Sequence, residues 1–335
     1  MDLAWYTLLG FFFASYLVLA GYDYGVGLLL ARGVGPGERR EALTALGPFF
    51  LGNEVWLVAA MGILFGAFPL LEGELLAGCY PAVAGALVGV ILVTVGVQLR
   101  SRPGDERVRA RWDRVVVIGS ALAALGWGVL LAALLQGVPL KADGHVAGVT
   151  HLATPFAAAA GLAMVTLVAV HGATFLTLRL SAEAAAVVGR TARRLVPVAL
   201  TAVALATVVG LLSARVRDAV QRPTVAVLLP VLLVAALLAA RAALARRRPG
   251  WALVATGAAL ALPVLLVGAA LWPYVLVSTT DPDASLRVAD AAASAPTLRL
   301  LGWVALPLLP ALLGFQAMCW WVFRGRTDGR APVYW

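Results

Sequence analysis

Nine stretches of this sequence contain no Asp, Glu, Lys or Arg, and each of them is long enough to cross a membrane. A helix needs about 20 apolar residues to span a hydrocarbon core roughly 30 Å thick. Backbone polar groups inside that core must be satisfied within the segment itself, so we expect these stretches to be helices. With their flanking residues they predict nine transmembrane helices, at 3–31, 48–71, 75–99, 115–138, 153–178, 195–214, 223–240, 251–275 and 300–323.

The composition indicates an all-α integral membrane protein that forms a single membrane domain over residues 1–335. Apolar residues make up 62% of the chain and charged residues only 13%, which argues against a soluble protein. In a soluble protein, the net charge of +9 would raise the question of nucleic acid binding. Here the Arg residues lie in short loops between apolar runs, so we interpret them as topology signals and expect no nucleic acid partner.

The positive charges also predict an orientation. If the N-terminus lies outside, 20 of the 26 Lys and Arg residues fall in inner segments, among them Arg32 and Arg330, and six fall in outer segments. Cytoplasmic loops of membrane proteins carry the excess of Lys and Arg. The sequence therefore predicts an outer N-terminus and a cytoplasmic C-terminus.

Two carboxylates, Asp23 and Glu54, lie inside long apolar runs. A charge at the centre of a membrane helix costs roughly 2.5–3.5 kcal/mol on insertion scales, so such residues need a reason. In the predicted topology Asp23, Glu54 and His171 lie about 9–12 Å below the inner surface, and Arg100 closes the third span on the same side. Two interpretations stay open: a proton path from the inside, or a buried ion pair of Asp23 or Glu54 with Arg100, supported by hydrogen bonds between helices.

Small residues accompany both carboxylates. Glycines at such spacing let membrane helices approach closely, which favours a helix interface at this place. The predicted helix-packing motif consists of Gly21, Gly25, Gly27, Gly52, Asn53 and Trp56.

The three histidines do not form a pattern that is typical of haem or metal ligation. His145 and His151 are expected near the outer side, whereas His171 lies toward the inner side. Ligation of one haem by two His side chains needs both at matched depth on facing helices. The two cysteines form no CxxC motif or Cys/His cluster, so we expect no metal and no haem to be ligated by this chain.

Several stretches resemble, in the same order, subunit II of the cytochrome bd-type quinol oxidases, the CydB family. The resemblance covers about residues 1–190 and 270–326. Its main motifs are 21–27 (GYDYGVG), 52–57 (GNEVWL), 171–176 (HGATFL), 272–274 (WPY) and 321–325 (WVFRG).

The resemblance implies a fold of two four-helix bundles plus a peripheral ninth helix, in the bacterial plasma (inner) membrane. It also implies subunit I as the partner, which would carry haem b, haem d and the quinol site. That complex would be a proton-translocating quinol:oxygen oxidoreductase, which reduces dioxygen to water with cytoplasmic protons and so generates a proton motive force. A bound quinone, membrane lipid and small accessory subunits are compatible with the family.

The sequence departs from the family pattern at Ala20 and Leu51, where the family often has acids. Asp23 and Glu54 remain, so we expect them to serve a proton route, with Arg100 as their counter-charge. Two other functions stay open at this point. One is a proton-coupled secondary transporter, and the other is a pure assembly scaffold without a proton role.

Overall fold

The computed structural model describes residues 1–31, 34, 36–100, 102 and 105–327, so Arg32 and Arg330 from the orientation argument lie outside the described residues. In this part of the chain, nine helices are long and apolar enough to cross a membrane, the number that the sequence predicts. The helices are α1 (Asp2–Leu29), α2 (Pro36–Ala67), α3 (Pro69–Gly78), α4 (Tyr80–Leu99), α5 (Glu106–Leu135), α6 (Pro155–Arg179), α7 (Ala182–Leu212), α8 (Ala214–Ala219), α9 (Pro223–Ala245), α10 (Pro249–Ala270), α11 (Val288–Ala291) and α12 (Ala295–Val322).

Several helices differ in length from the predicted spans, because charges limit the membrane-crossing part of a helix and not the helix itself. α2 begins at Pro36 rather than near residue 48, and α7 begins at Ala182 rather than near residue 195. The second span also ends earlier than predicted, since Pro69 starts α3 in its first turn. Proline has no N–H to continue the preceding helix but fits the first turn of a new one.

Helix α1 lies at the centre of the molecule, where it contacts α2, α5, α6 and α10. Around it α4 packs on α5, α6 packs on α7, and α9 packs on α10. α12 lies at the edge against α2, and only 6% of its most apolar window is buried. The two-bundle grouping and the orientation in the membrane stay predictions. We call "inner" the side that the Arg distribution predicts to face the cytoplasm.

The crossing of α1 over α6 depends on two facing glycines. A Cβ atom on Gly25 would fall on the carbonyl oxygen of Val168 and on the backbone of Gly172. A Cβ atom on Gly172 would likewise fall on the backbone of Gly25. Gly27 faces the Ser120 hydroxyl of α5 at similarly close range. Of the predicted packing glycines, Gly25 therefore lies where two backbones touch, and Gly27 lies where the Ser120 side chain packs on α1.

On the outer side, the α5–α6 and α10–α12 connections contact each other through short strand pairings. Strands β1 (Tyr274–Leu276) and β2 (Leu286–Arg287) pair antiparallel, and Val138 bridges to Ser278. Single turns of 3-10 helix lie at Thr150–Leu152 and Pro282–Ala284.

On the inner side, the segment that follows α12 is bound to the ends of other helices. Arg179 Nη1 donates a hydrogen bond to Gly325 O, and Thr327 N donates to Arg179 O, both at 2.7 Å. Glu41 Oε1 accepts from Ser181 N at 2.6 Å and from Thr327 Oγ1 at 3.2 Å. We call these contacts the C-terminal clamp, and they fasten the otherwise exposed α12 to α2 and α6.

We expect Gly25→Ala to destabilise the protein by about 1–3 kcal/mol, because the added methyl group meets backbone atoms that cannot move independently. The readout is the midpoint of thermal unfolding of the purified protein in detergent. Gly10→Ala on the same helix is the control, since no atom lies within 4 Å of its added Cβ. Equal midpoints for the two variants would contradict the close crossing.

Candidate functional site

Asp23 is buried, and its carboxyl group binds Asn53 on the neighbouring helix α2. Only 2% of Asp23 is exposed, and Asn53 is fully buried. Asp23 Oδ2 accepts a hydrogen bond from Asn53 Nδ2 at 2.9 Å, whereas Oδ1 has no donor among the described residues. Burying a carboxyl group costs free energy unless it is hydrogen-bonded or paired, so the Asn53 contact stabilises this placement.

The Asn53 amide connects three helices around that carboxyl group. Its Nδ2 lies 2.8 Å and its Oδ1 lies 3.0 Å from the Tyr22 hydroxyl oxygen. Gln316 Nε2 of α12 donates to Asn53 Oδ1 at 3.4 Å, and Gln316 Oε1 accepts from Trp56 Nε1 at 3.3 Å. Asn53 and Trp56, which the sequence assigns to packing, thus also form the polar contacts between α1, α2 and α12.

His171 on α6 is buried beside Tyr22 and is fully hydrogen-bonded. Its Nε2 lies 2.9 Å from the Val18 carbonyl oxygen of α1, so Nε2 carries a hydrogen. Its Nδ1 lies 2.7 Å from the Thr256 hydroxyl oxygen of α10. When the imidazole is charged, this hydroxyl accepts from Nδ1 and donates its own hydrogen to Ala252 O at 3.0 Å. Because a hydroxyl can donate or accept, His171 keeps both hydrogen bonds in its neutral and its charged form. The ring centres of Tyr22 and His171 are 5.9 Å apart.

Glu54 has a separate partner and a different environment. Its Oε1 accepts a hydrogen bond from Thr94 Oγ1 of α4 at 2.5 Å, and the residue is half-buried. Its neighbours Leu51 and Val55 are exposed on the surface of α2. Glu54 therefore lies at the edge of the chain, whereas Asp23 lies inside it.

Arg100 is not the counter-charge of Asp23 or Glu54, so that expectation is wrong. Its guanidinium group forms an ion pair with Asp113 on α5, and Asp113 Oδ2 also lies 3.2 Å from Arg39 Nη1. Arg100 directly follows α4, which packs on α5, and this packing brings Arg100 to Asp113. Asp113 is 4% exposed, and a buried charge of this kind requires charged or hydrogen-bonding partners.

The structure thus brings together part of the predicted cluster and adds residues to it. Asp23 and His171 meet through Asn53 and Tyr22, whereas Glu54 and Arg100 have partners of their own. Of the predicted packing glycines, Gly21 faces Leu260 and His171, and Gly52 faces Phe315 at 3.3 Å from its added Cβ. Sequence reasoning missed Tyr22, Gln316 and Thr256, for which the only signal was a polar group inside an apolar run.

The described residues contain no group of three or more His, Cys, Asp and Glu side chains that could hold a metal ion. They do contain a large apolar cavity between α5, α6, α7, α9 and α10, with an empty volume of about 910 Å³ including its open side. Phe156, Met164, Ala206 and Pro230 are among its lining residues, and Thr207 supplies a hydroxyl group. Such a lining suits an apolar molecule with few polar groups.

Comparison with known proteins decides the family. Residues 1–323 match the family described as cytochrome bd terminal oxidase subunit II. The chain belongs to this family. The resemblance drawn from the sequence motifs is therefore confirmed.

Curated relatives that match this chain come from several bacteria. The chain is 34% identical over 185 residues to cytochrome bd-I ubiquinol oxidase subunit 2 of Escherichia coli K12, covering 53% of this chain and 49% of that protein. It is 32% identical over 178 residues to cytochrome bd ubiquinol oxidase subunit 2 of Bacillus subtilis, covering 52% of each chain. The aligned part of the chain thus spans about half the length of these relatives.

The fold has a counterpart in a solved structure of a bd oxidase from Geobacillus thermodenitrificans. The TM-score is 0.71 at 18% sequence identity, and the superposition covers 96% of this chain and 98% of the other. At this identity the likeness concerns the fold alone. The nine apolar helices of the described residues, together with membership of the bd subunit II family, are those of a multi-pass protein of the bacterial inner membrane.

On its outer side this subunit II has a histidine–carboxylate pair. His145 Nδ1 lies 2.8 Å from Glu74 Oε1 of α3, and Glu74 Oε2 accepts from Val146 N at 2.8 Å. The hydrogen bond and charge of Glu74, together with the charge of Asp143, raise the pKa of His145 above its ordinary value of 6.5. The pair ties the 141–148 connection to α3.

The stabilisation that this pair gives is expected to depend on pH in one direction. Because the pKa of His145 is higher in the folded state, the contribution is fully present below pH 6.5 and is lost as the pH rises through the raised value. The measurement is the difference in thermal midpoint between the wild type and His145→Gln from pH 5 to 9. Glu74→Gln should give the same curve, and a difference that does not change with pH would contradict the pairing.

Proposed function

We propose that this chain is the non-haem subunit II of a terminal oxidase complex that oxidises quinol and reduces dioxygen to water. The observation that carries the proposal is the family match over residues 1–323. The relatives are named as ubiquinol oxidase subunits.

In this proposal the haems belong to subunit I. Both ring nitrogens of His171 are engaged by Val18 and Thr256, which suits a side chain that joins helices rather than a haem ligand. His145 is engaged by Glu74 at the outer surface. Subunit I, small accessory subunits and lipid would cover apolar surfaces such as that of α12, where Trp303 is 78% exposed.

The isolated chain is expected to be colourless, whereas co-expression with its subunit I should give haem b and haem d absorption. The measurement is the visible spectrum of both preparations after purification. Haem absorption by the chain alone would overturn the proposal. Solute uptake by vesicles that contain the chain alone would instead favour the proton-coupled transporter.

We further propose that Asp23 and Glu54 hold protons on a route from the inner side. Glu54 is half-buried at the chain surface, and Asp23 lies deeper, with Oδ1 free of donors among the described residues. Asn53, Tyr22 and His171 continue the polar contacts from Asp23 to α6. Such groups inside a membrane protein are typical of proton paths. The alternative is a scaffold in which the same hydrogen bonds only hold helices together.

Asp23→Asn and Glu54→Gln should lower the quinol oxidase turnover of the assembled complex by about tenfold or more, equal to at least 1.4 kcal/mol in the barrier. Haem content and complex yield should stay near the wild type, because the amides keep the shape and most hydrogen bonds. Glu72→Gln on the outer helix α3 is the control. Unchanged turnover with reduced yield of complex would favour the scaffold instead.

We also propose that the apolar cavity binds a quinone or another molecule with a long apolar tail. Its size and lining support this, since an isoprenoid chain needs apolar contact along its length. Ala206→Phe should fill part of the cavity and lower the amount of quinone that co-purifies, measured by mass spectrometry of the extracted complex. Val208→Phe adds the same bulk to the exposed face of α7 and is the control. Equal quinone content in both variants would exclude the cavity as the site.

A further inference from the structure

Asn53 binds Asp23 through one end of a side-chain amide, and the two ends of an amide have opposite roles in hydrogen bonds. Its Nδ2 carries two hydrogens and only donates, whereas its Oδ1 only accepts. Turned over, the same side chain would place Oδ1 against the Asp23 carboxyl group, where it would repel a carboxylate. The other contacts of Asn53 therefore decide which group Asp23 meets.

At the Nδ2 end, the surroundings of Asn53 require a donor. Nδ2 lies 2.9 Å from Asp23 Oδ2 and 3.2 Å from the Leu19 carbonyl oxygen of α1. A backbone carbonyl oxygen only accepts, so it favours Nδ2 at this end. The Tyr22 hydroxyl, 2.8 Å from Nδ2 and 3.0 Å from Oδ1, fits either orientation because a hydroxyl donates or accepts.

At the Oδ1 end, Asn53 meets a second amide on the peripheral helix α12. Gln316 Nε2 lies 3.4 Å from Asn53 Oδ1, and Gln316 Oε1 lies 3.3 Å from Trp56 Nε1. The two helices come close at Gly52, where an added Cβ would lie 3.3 Å from the Phe315 ring. The Gln316 amide thus bridges two side chains that are about one turn apart on α2.

The indole of Trp56 sets the orientation of both amides. Its Nε1–H only donates, so Gln316 must present Oε1 to it. Gln316 Nε2 then faces Asn53, which presents Oδ1 to Gln316 and Nδ2 to Asp23. If either amide were turned over, two donors or two acceptors would meet, and buried polar groups would lose their partners. Asn53 is therefore held in one orientation from both ends.

This orientation distinguishes the two carboxyl oxygens of Asp23. Oδ2 faces the Asn53 donor, whereas Oδ1 has no donor among the described residues. In a carboxylic acid the carbonyl oxygen accepts hydrogen bonds better than the hydroxyl oxygen. The protonated acid is therefore most stable with its carbonyl at Oδ2 and its hydroxyl at Oδ1.

We propose that Trp56 and Gln316 are positioning residues, which hold Asn53 as a donor to Asp23 Oδ2 and so direct the proton of Asp23 to Oδ1. We call the contacts from Trp56 through Gln316 and Asn53 to Asp23 the amide relay. The relay gives the otherwise exposed α12 a part in the proton function proposed above, and this part rests on that function.

The test is the infrared absorption of the Asp23 carboxyl group in the purified oxidase complex, assigned by its loss in Asp23→Asn. Asn53→Leu removes the donor and gives the reference shift. Trp56→Phe and Gln316→Met should shift the bands in the same direction, although neither side chain is hydrogen-bonded to Asp23 among the described residues. Their shifts should be smaller, because Leu19 O still favours the same orientation of Asn53.

The variants are chosen so that packing changes little. Phe at position 56 keeps a ring against Phe11 and Phe12, whose ring centres lie 6.0 and 5.6 Å from that of Trp56. Trp303→Phe is the control, since it removes an indole of α12 that is 78% exposed.

A double variant separates the amide relay from two local effects. Trp56 acts on Asp23 only through Gln316, so adding Trp56→Phe to Gln316→Met should cause no further shift. Independent effects would add. Unshifted bands in Trp56→Phe, an equal shift in Trp303→Phe, or full addition in the double variant would overturn the relay.

The C=O stretching band of protonated Asp23 tests where the proton is bound. With the proton on Oδ1, the carbonyl is at Oδ2, and Asn53→Leu should move the band to higher wavenumber because a hydrogen bond is lost. With the proton on Oδ2, the carbonyl would be at Oδ1, where there is no donor to lose. A band that stays in place in Asn53→Leu would therefore refute the assignment to Oδ1.

These readouts separate the amide relay from the proposed function. If Asp23→Asn keeps full oxidase turnover, the proton role of Asp23 fails, yet the infrared bands still test the orientation of the amides. If the bands do not shift in Trp56→Phe while Asp23→Asn loses turnover, the proton role stands and the relay is refuted.

Discussion

A carboxyl group inside a membrane helix must find its hydrogen-bond partners within the protein, and the arrangement around Asp23 follows from this requirement. Water is scarce in the hydrocarbon core, so an unpaired polar group there is costly. Asn53 on α2 supplies the donor, and Tyr22 and Gln316 orient the Asn53 amide from two other helices. Helix α1 lies at the centre because the polar side chains of its inner half need hydrogen-bond partners from neighbouring helices.

Close backbone contact makes this possible. At Gly25 and Gly172 the α1 and α6 backbones touch, and Gly172 directly follows His171 in the chain. That approach brings the His171 ring within 2.9 Å of the Val18 carbonyl oxygen on α1. The glycines and the polar site are therefore one structural unit, since side chains at the crossing would separate the helices and stretch the hydrogen bond. Membrane helices generally use small residues in this way, because lipid gives no hydrophobic force that drives helices together.

The sequence was sufficient to predict the number of spans and the buried position of Asp23, because both follow from the long stretches that contain few or no charged residues. It was not sufficient for the partner of Arg100. Depth alone placed Arg100 near Asp23 and Glu54, whereas the packing of α4 on α5 places it beside Asp113. The partner of Asp23 could not be predicted either. Asn53 was assigned to helix packing, because the sequence does not show which face of α2 turns toward Asp23. Rotation and neighbour choice depend on packing between helices, which a single apolar sequence does not encode in its periodicity.

The C-terminal clamp has a consequence for biogenesis. Membrane helices leave the ribosome one after another, and residues 325–327 follow all of the spanning helices described here. Arg179 and Glu41 therefore cannot bind Gly325 and Thr327 until the spanning helices have been inserted into the bilayer. The C-terminal clamp also holds α12, the spanning helix with the least buried apolar window. A fusion partner attached directly behind residue 327 would therefore interfere with the formation of the clamp.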